Sequence, residues 1–116
     1  MAIPATDTVL VFNHHGMGDA DNALQLVLAG KYLSLLLEGG LLPGAICFYA
    51  DGVKMVVEGS PVLEQLHALE ERGVRLVVCS TCLNFFGLAD KVQAGIVGGM
   101  TDIIEAQFKA TKVITL

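Results

Sequence analysis

The chain predicts an α/β fold built on a parallel sheet covered on both faces, and three observations carry that prediction. Short apolar runs rich in β-branched residues alternate with longer segments of helical period, the pattern of successive strand–helix units. The runs are close to continuously apolar, as strands buried on both faces are. Glycine-rich or polar turns follow most of them, and in parallel sheets the loops at the carboxyl ends of strands hold the functional groups.

Val9 to Phe12 is the first strand, followed by the turn-forming Asn13-His14-His15-Gly16-Met17-Gly18-Asp19. Asp19 and Asp21 open a long helix that runs to about Glu38 and stops at Gly39-Gly40. Its pattern is two-sided: Leu24, Leu28 and Leu35 share one face, and Leu26, Leu33 and Leu37 share the opposite one. Such a helix needs cover on both sides, which predicts packing on the sheet and against a neighbour. The second strand is Ala45 to Tyr49, ended by the turn signal Ala50-Asp51-Gly52-Val53. Lys54 to Val57 reads as either a short strand or a helical turn. Ser60 and Pro61 suit a cap and a first helical residue, with Val62, Leu63, Leu66 and Leu69 as a one-sided stripe. Arg75 to Val78 is the third strand, Leu83 to Leu88 a short helix or turn interrupted by Gly87, and Gln93 to Val97 a fourth strand. Thr101 caps a final helix to about Ala110, and Lys112 to Leu116 is the fifth strand.

The 116 residues make one domain, long enough to bury a core without staples. Hydrophobic residues are 53% and charged residues only 16%, which predicts apolar surface covered by a two-sided sheet or another subunit. A net charge of −5 argues against nucleic acid or an anionic membrane as partner. Met1 to Asp7 lacks the basic and apolar regions of a signal peptide, and no apolar run reaches membrane-spanning length. Three cysteines do not make a secreted disulfide framework, so a reducing cytoplasm is the expected compartment.

The chemistry centres on Val77-Val78-Cys79-Ser80-Thr81-Cys82, an apolar run ending in a C-x-x-C. With Ser80 or Thr81 as helix cap, Cys79 should turn out toward solvent beside unpaired N–H groups, which would favour its thiolate. Cys79 is then the expected nucleophile, and Cys82 resolves or packs. Cys47, inside an apolar strand, reads as a structural core residue. Four loops should rim one site: His14 to Asp19 with Gly16 and Gly18, Asp51-Gly52-Val53, Cys79 to Cys82 with Ser80 and Thr81, and Gly98-Gly99-Met100. His14 and His15 are either solvated or charge partners for a nearby thiolate. His67 reads as an ordinary surface residue. A dinucleotide loop is not expected, because Asp21 stands where the third glycine of G-x-G-x-x-G belongs. Neither is zinc, since only one C-x-x-C is present and adjacent histidines chelate poorly. A thioredoxin-like redox motif would need a proline after it in the chain, whereas Pro4, Pro43 and Pro61 all precede Cys79. The surviving chemistry is a reactive cysteine that needs no cofactor, as in persulfide carriage.

The combination Gly16-Met17-Gly18-Asp19, Pro43, Phe48-Tyr49, Gly52-Val53-Lys54, Glu58-Gly59-Ser60, Leu69-Glu70, Gly73-Val74 and Cys79-Ser80-Thr81-Cys82-Leu83 resembles the DsrE/DsrF-like sulfur-relay family. It is most similar to the DsrE-like domain of YedF-type proteins, and Gly95 to Met100 and Ala110 to Ile114 continue the likeness. The resemblance implies a three-layer α/β/α domain with a parallel five-stranded sheet, assembly into homo- or hetero-oligomers, and persulfide sulfur carried at Cys79. A TusA-like protein or a cysteine desulfurase would be the separate sulfur donor, and a link to selenium metabolism follows by association. The chain departs from the YedF-type pattern at Ser80, usually glycine, and at Ala50 and Gly99, usually asparagine. YedF-type proteins commonly carry a preceding TusA-like domain, and none is expected within these 116 residues. The function expected is sulfur handling; the alternatives are a thiol–disulfide protein using Cys79 and Cys82, or a non-catalytic binding subunit.

Overall fold

The computed structural model describes residues 5–116, so the part of the signal-peptide reading that falls on Met1–Pro4 lies outside the described residues. Five strands, β1 (Thr8–Phe12), β2 (Ala45–Phe48), β3 (Arg75–Cys79), β4 (Ile96–Gly98) and β5 (Lys112–Thr115), form one sheet in the order β4-β3-β2-β1-β5. Every pairing is parallel. The connecting helices are α1 (Asn22–Gly39), α2 (Leu63–Glu71), α3 (Ser80–Phe86) and α4 (Met100–Lys109), with 3-10 segments at Ala5–Asp7 and Ala50–Val56.

Right-handed crossovers fix the layers. From β1 to β4 each step moves the same way across the sheet, which puts α1, α2 and α3 on one face. The step from β4 to β5 returns across the whole sheet, so α4 covers the other face, against β2, β3 and β4. The three-layer arrangement with five parallel strands is as expected. The chain leaves β3 toward one face and β4 toward the opposite face, the arrangement at whose carboxyl ends parallel sheets bind ligands.

α1 begins at Asn22, one turn later than the acidic residues alone indicate, because Asp21 is the cap: its carboxylate accepts from the Ala23 N–H at 3.0 Å. The helix ends at Gly40 in the left-handed conformation, with φ 65°. Leu33 is fully buried, with Gln25 and Ala29 beside it on the sheet side. Leu24, Val27, Leu28 and Leu35 are exposed. The two faces read from the sequence are therefore a core face and an open one.

Other boundaries shift for local reasons. Lys54 to Val56 belongs to the 3-10 segment, and Val57 makes only a bridge to Val92. α2 starts at Leu63 because Ser60–Val62 makes a turn first, the Ser60 hydroxyl accepting from the Val62 N–H. β4 starts at Ile96 rather than Gln93: the Gln93 and Ala94 N–H groups are held by the Val56 carbonyl, off the sheet. The cap of α4 is Gly99 rather than Thr101, with the Asp102 carboxylate accepting from the Gly99 N–H at 2.9 Å.

The core lies along the central strands, where Phe12 and Phe48 stack in register with ring centroids 5.7 Å apart. Immediately beyond them the chain turns so closely that no side chain fits at Gly52. A Cβ there would lie 1.9 Å from the Phe12 carbonyl oxygen, which belongs to backbone fixed by the sheet. Gly52→Ala is expected to destabilise the fold by about 3 kcal/mol, the upper end of overpacking costs. Urea unfolding followed by circular dichroism measures it, and a change under about 1 kcal/mol would show that this turn yields freely.

Candidate functional site

The site is built where β3 meets α3 with no intervening loop. Cys79 is the last residue of β3 and the N-cap of α3, and Cys82 is the third residue of that helix. The β-branched run keeps the strand extended through Cys79, one residue further than its apolar pattern indicates, and its side chain enters the core. The thiol is 0% exposed. This corrects the expectation that Cys79 turns out toward solvent. It also corrects the expected cap, since Ser80 and Thr81 already lie inside the helix and no side chain caps it. Thr81 is exposed, Ser80 and Cys82 are half-buried, and Cys82 is thus the accessible sulfur of the pair.

The carboxyl ends of the strands set the rim in sheet order: Gly98–Met100, then Cys79–Cys82, then Tyr49–Val53, then the loop after β1. Gly98 pairs in register with Cys79, and Met100 is exposed beyond it. The Ala50 N–H donates to Cys82 Sγ at 3.1 Å, a residue whose role the sequence reading missed. Ala50 is the one described non-glycine residue with positive φ, 51°, and that turn is what aims its N–H at the sulfur. A departure from asparagine at this position was the available signal, because asparagine tolerates the left-handed region better than alanine.

Asp51 and Gly52 follow on the same turn. The Asp51 carboxylate pairs with Lys54 Nζ at 2.8 Å, and that ammonium sits 4.5 Å from the centroid of the Phe86 ring. Phe86 lies one turn beyond Cys82 on α3. Lys54, Phe86 and His15, with Leu26, Pro61 and Leu88, line a groove of about 400 Å³ that meets α3 at Phe86, its last residue. The loop after β1 closes the far end of the rim. Gly16 has no room for a side chain, a Cβ falling 2.4 Å from the Gln25 carbonyl carbon, and the Gln25 side-chain amide donates to the Gly18 carbonyl. His14 Nδ1 and Asn13 Oδ1 are buried there without hydrogen-bond partners among the described residues. The rim loops do share one edge, but His14, Gly16 and Gly18 lie two strands from the cysteines, across β2.

Electrostatics at Cys82 run against a simple acidified nucleophile. The Cys82 thiol is pushed above the ordinary thiol range by partial burial first, then by hydrogen bonding to Cys79, with the Ala50 N–H acting in the opposite direction. Burial raises Cys47 to about 11, in keeping with a structural role. His15 is lowered, by burial first and by the Lys54 charge second, against the pull of Asp51. His67 is exposed, and its Nε2 lies 2.7 Å from the Gln93 carbonyl oxygen, away from the site. What the arrangement offers is one reachable sulfur backed by a second thiol inside the fold.

Solved structures share this architecture. The ychN protein from E. coli is 19% identical with a TM-score of 0.65, covering 94% of this chain and 98% of its own. MTH1491 from Methanobacterium thermoautotrophicum, a protein of unknown function, is 20% identical with a TM-score of 0.66, covering 94% of this chain and 97% of its own. BT1422 from Bacteroides thetaiotaomicron, also of unknown function, is 18% identical with a TM-score of 0.69, and each chain is covered in full. At such identities the likeness establishes the fold. No curated protein matches the chain. The profile of the DsrE/DsrF-like family matches residues 7–116, from the start of the sheet to its last strand and through both cysteines, and the chain belongs to that family.

Proposed function

We propose that this chain is a small sulfur-handling protein that carries sulfur as a persulfide on the Cys79–Cys82 pair. The observation that carries the reading is the half-buried Cys82 sulfur at the β3–α3 junction, accepting the Ala50 N–H and backed by Cys79, in a DsrE/DsrF-like domain. A carrier needs an accessible thiol, a place to hold the sulfur adduct, and little else, because thiolate attack on an activated sulfur needs no cofactor. The donor is a cysteine desulfurase or a TusA-like protein in a reducing cytoplasm. The residue pattern shared with YedF-type domains extends the reading to selenium as an alternative cargo.

Mass spectrometry after incubation with a cysteine desulfurase and cysteine, with alkylation at early times, tests the proposal. The wild type and Cys47→Ser are expected to gain one sulfur, about 32 Da, and the double variant Cys79→Ser/Cys82→Ser none. Loss of two hydrogens without any prior sulfur gain would support a thiol–disulfide protein instead. No change in any form would favour a binding subunit.

The raised Cys82 thiol gives a pH signature. A thiol held above its ordinary range is mostly protonated near neutrality, so its alkylation by iodoacetamide should climb steeply only in the alkaline range. Cys79→Ala removes a neighbour that holds Cys82 up and should move the midpoint to lower pH. An unchanged midpoint would mean that the two thiols do not interact.

The open face of α1 is the expected self-association surface. Leu24, Val27, Leu28 and Leu35 form an exposed apolar stripe interrupted by Lys31, and a second copy supplies the matching stripe. Light scattering at micromolar concentration should give a mass above the 12.2 kDa of one chain, and Leu28→Glu should lower it. A wild-type monomer under those conditions would sink this assembly.

A further inference from the structure

We infer that the two cysteines divide the sulfur chemistry: Cys82 receives the sulfur, and the buried Cys79 expels it as hydrosulfide by closing a Cys79–Cys82 disulfide. This rests on the carrier reading above and adds the fate of the cargo.

Access sets the order. Cys79 is 0% exposed beneath the β3–α3 junction, so a donor protein's persulfide cannot reach it, whereas Cys82 is half-exposed. Proximity permits the second step. The residues stand at the N-cap and third position of α3. Residues three apart on a helix have Cβ atoms about 5–6 Å apart, and a disulfide needs only a small further approach. The Cys82 thiol also hydrogen-bonds to Cys79, so the two sulfurs already meet. The Ala50 N–H, 3.1 Å from Cys82 Sγ, holds that sulfur in place.

The step balances without an external oxidant. The Cys79 thiol gives up its proton, and its sulfur electron pair forms the new bond to Cys82 Sγ. The bond between Cys82 Sγ and the outer sulfur breaks, and the outer sulfur leaves with that electron pair and a proton as hydrosulfide. The sulfane sulfur is reduced by two electrons, and the two cysteine thiols are oxidised to the disulfide. A further turnover requires a dithiol reductant to reopen the bond. Burial shields Cys79 from small disulfides and oxidants, so in the reduced protein its accessible partner is the sulfur on its neighbour.

The test loads the whole protein with a cysteine desulfurase and cysteine, removes both by gel filtration under anaerobic conditions, and follows protein mass and free hydrosulfide together. The wild type is expected to pass from a gain of about 32 Da to a loss of about 2 Da, with one equivalent of hydrosulfide and a 79–82 disulfide on peptide mapping. Cys79→Ser should load and hold its sulfur, releasing hydrosulfide at least about tenfold more slowly. Cys82→Ser should not load. Should Cys79→Ser fail to fold, the wild-type mass trace still decides, because persistence of the added sulfur for hours overturns the step. Equal release from wild type and Cys79→Ser, or loading of Cys82→Ser at the wild-type level, also overturns it. Absence of sulfur gain in every form overturns the carrier reading itself.

Discussion

The direct join of β3 to α3 is the constraint on which the rest of the site depends. No loop separates the strand from the helix, so Cys79 is at once the last residue held by the sheet and the cap of the helix. Its position is fixed by the pairing with Gly98 of β4 and, one residue earlier, by the ladder that joins Val78 to Phe48 of β2. A sulfur held this way has little freedom to swing outward. The next sulfur along the helix inherits the access that a flexible loop would have given the first.

That join also explains why the neighbouring turn takes an unfavourable backbone. Tyr49 donates its N–H to the Phe12 carbonyl, and the chain then reverses at Ala50 with positive φ to begin the 3-10 segment. A non-glycine residue in this region costs roughly 1–2 kcal/mol, which the closely packed Phe12, Phe48 and Gly52 offset. The N–H so displayed is the only described backbone donor to Cys82 Sγ. The groove holding Lys54, Phe86 and His15 is lined from the same 3-10 segment, whose Lys54 ammonium pairs with Asp51.

The surface carries the remainder of the composition. With few charges to spread over the exterior, the chain leaves apolar side chains on α1, on the edge strand β4 (Ile96 and Val97) and on α4 (Ile104 and Phe108). The edge strands are short, three and four residues, which limits open-ended pairing through their free hydrogen-bonding groups. Interaction through side chains of helices is the more economical use of such a surface.

Much of the fold was legible because parallel strands and their helices announce themselves locally. The runs at Val9, Ala45 and Arg75, the Gly39-Gly40 stop and the two faces of α1 needed only hydrophobic period and turn chemistry. The C-x-x-C and the glycines that admit close backbone approach were legible too, and the family was legible as a resemblance carried by those residues together. Boundaries near Ser60, Gln93 and Thr101 were not, because long-range partners, the Val56 carbonyl among them, compete there with local preference. Nor could the sequence tell which cysteine faces solvent. The sheet is covered on both faces, so four successive residues of β3 are buried, and one extra residue of sheet decides whether a thiol is enclosed. The sequence by itself determined that two thiols would meet at the end of a buried strand. Only the tertiary structure decided that the first would be enclosed and the second reachable, because the ladder to β4 carries the sheet through Cys79, one residue beyond the last pairing with β2.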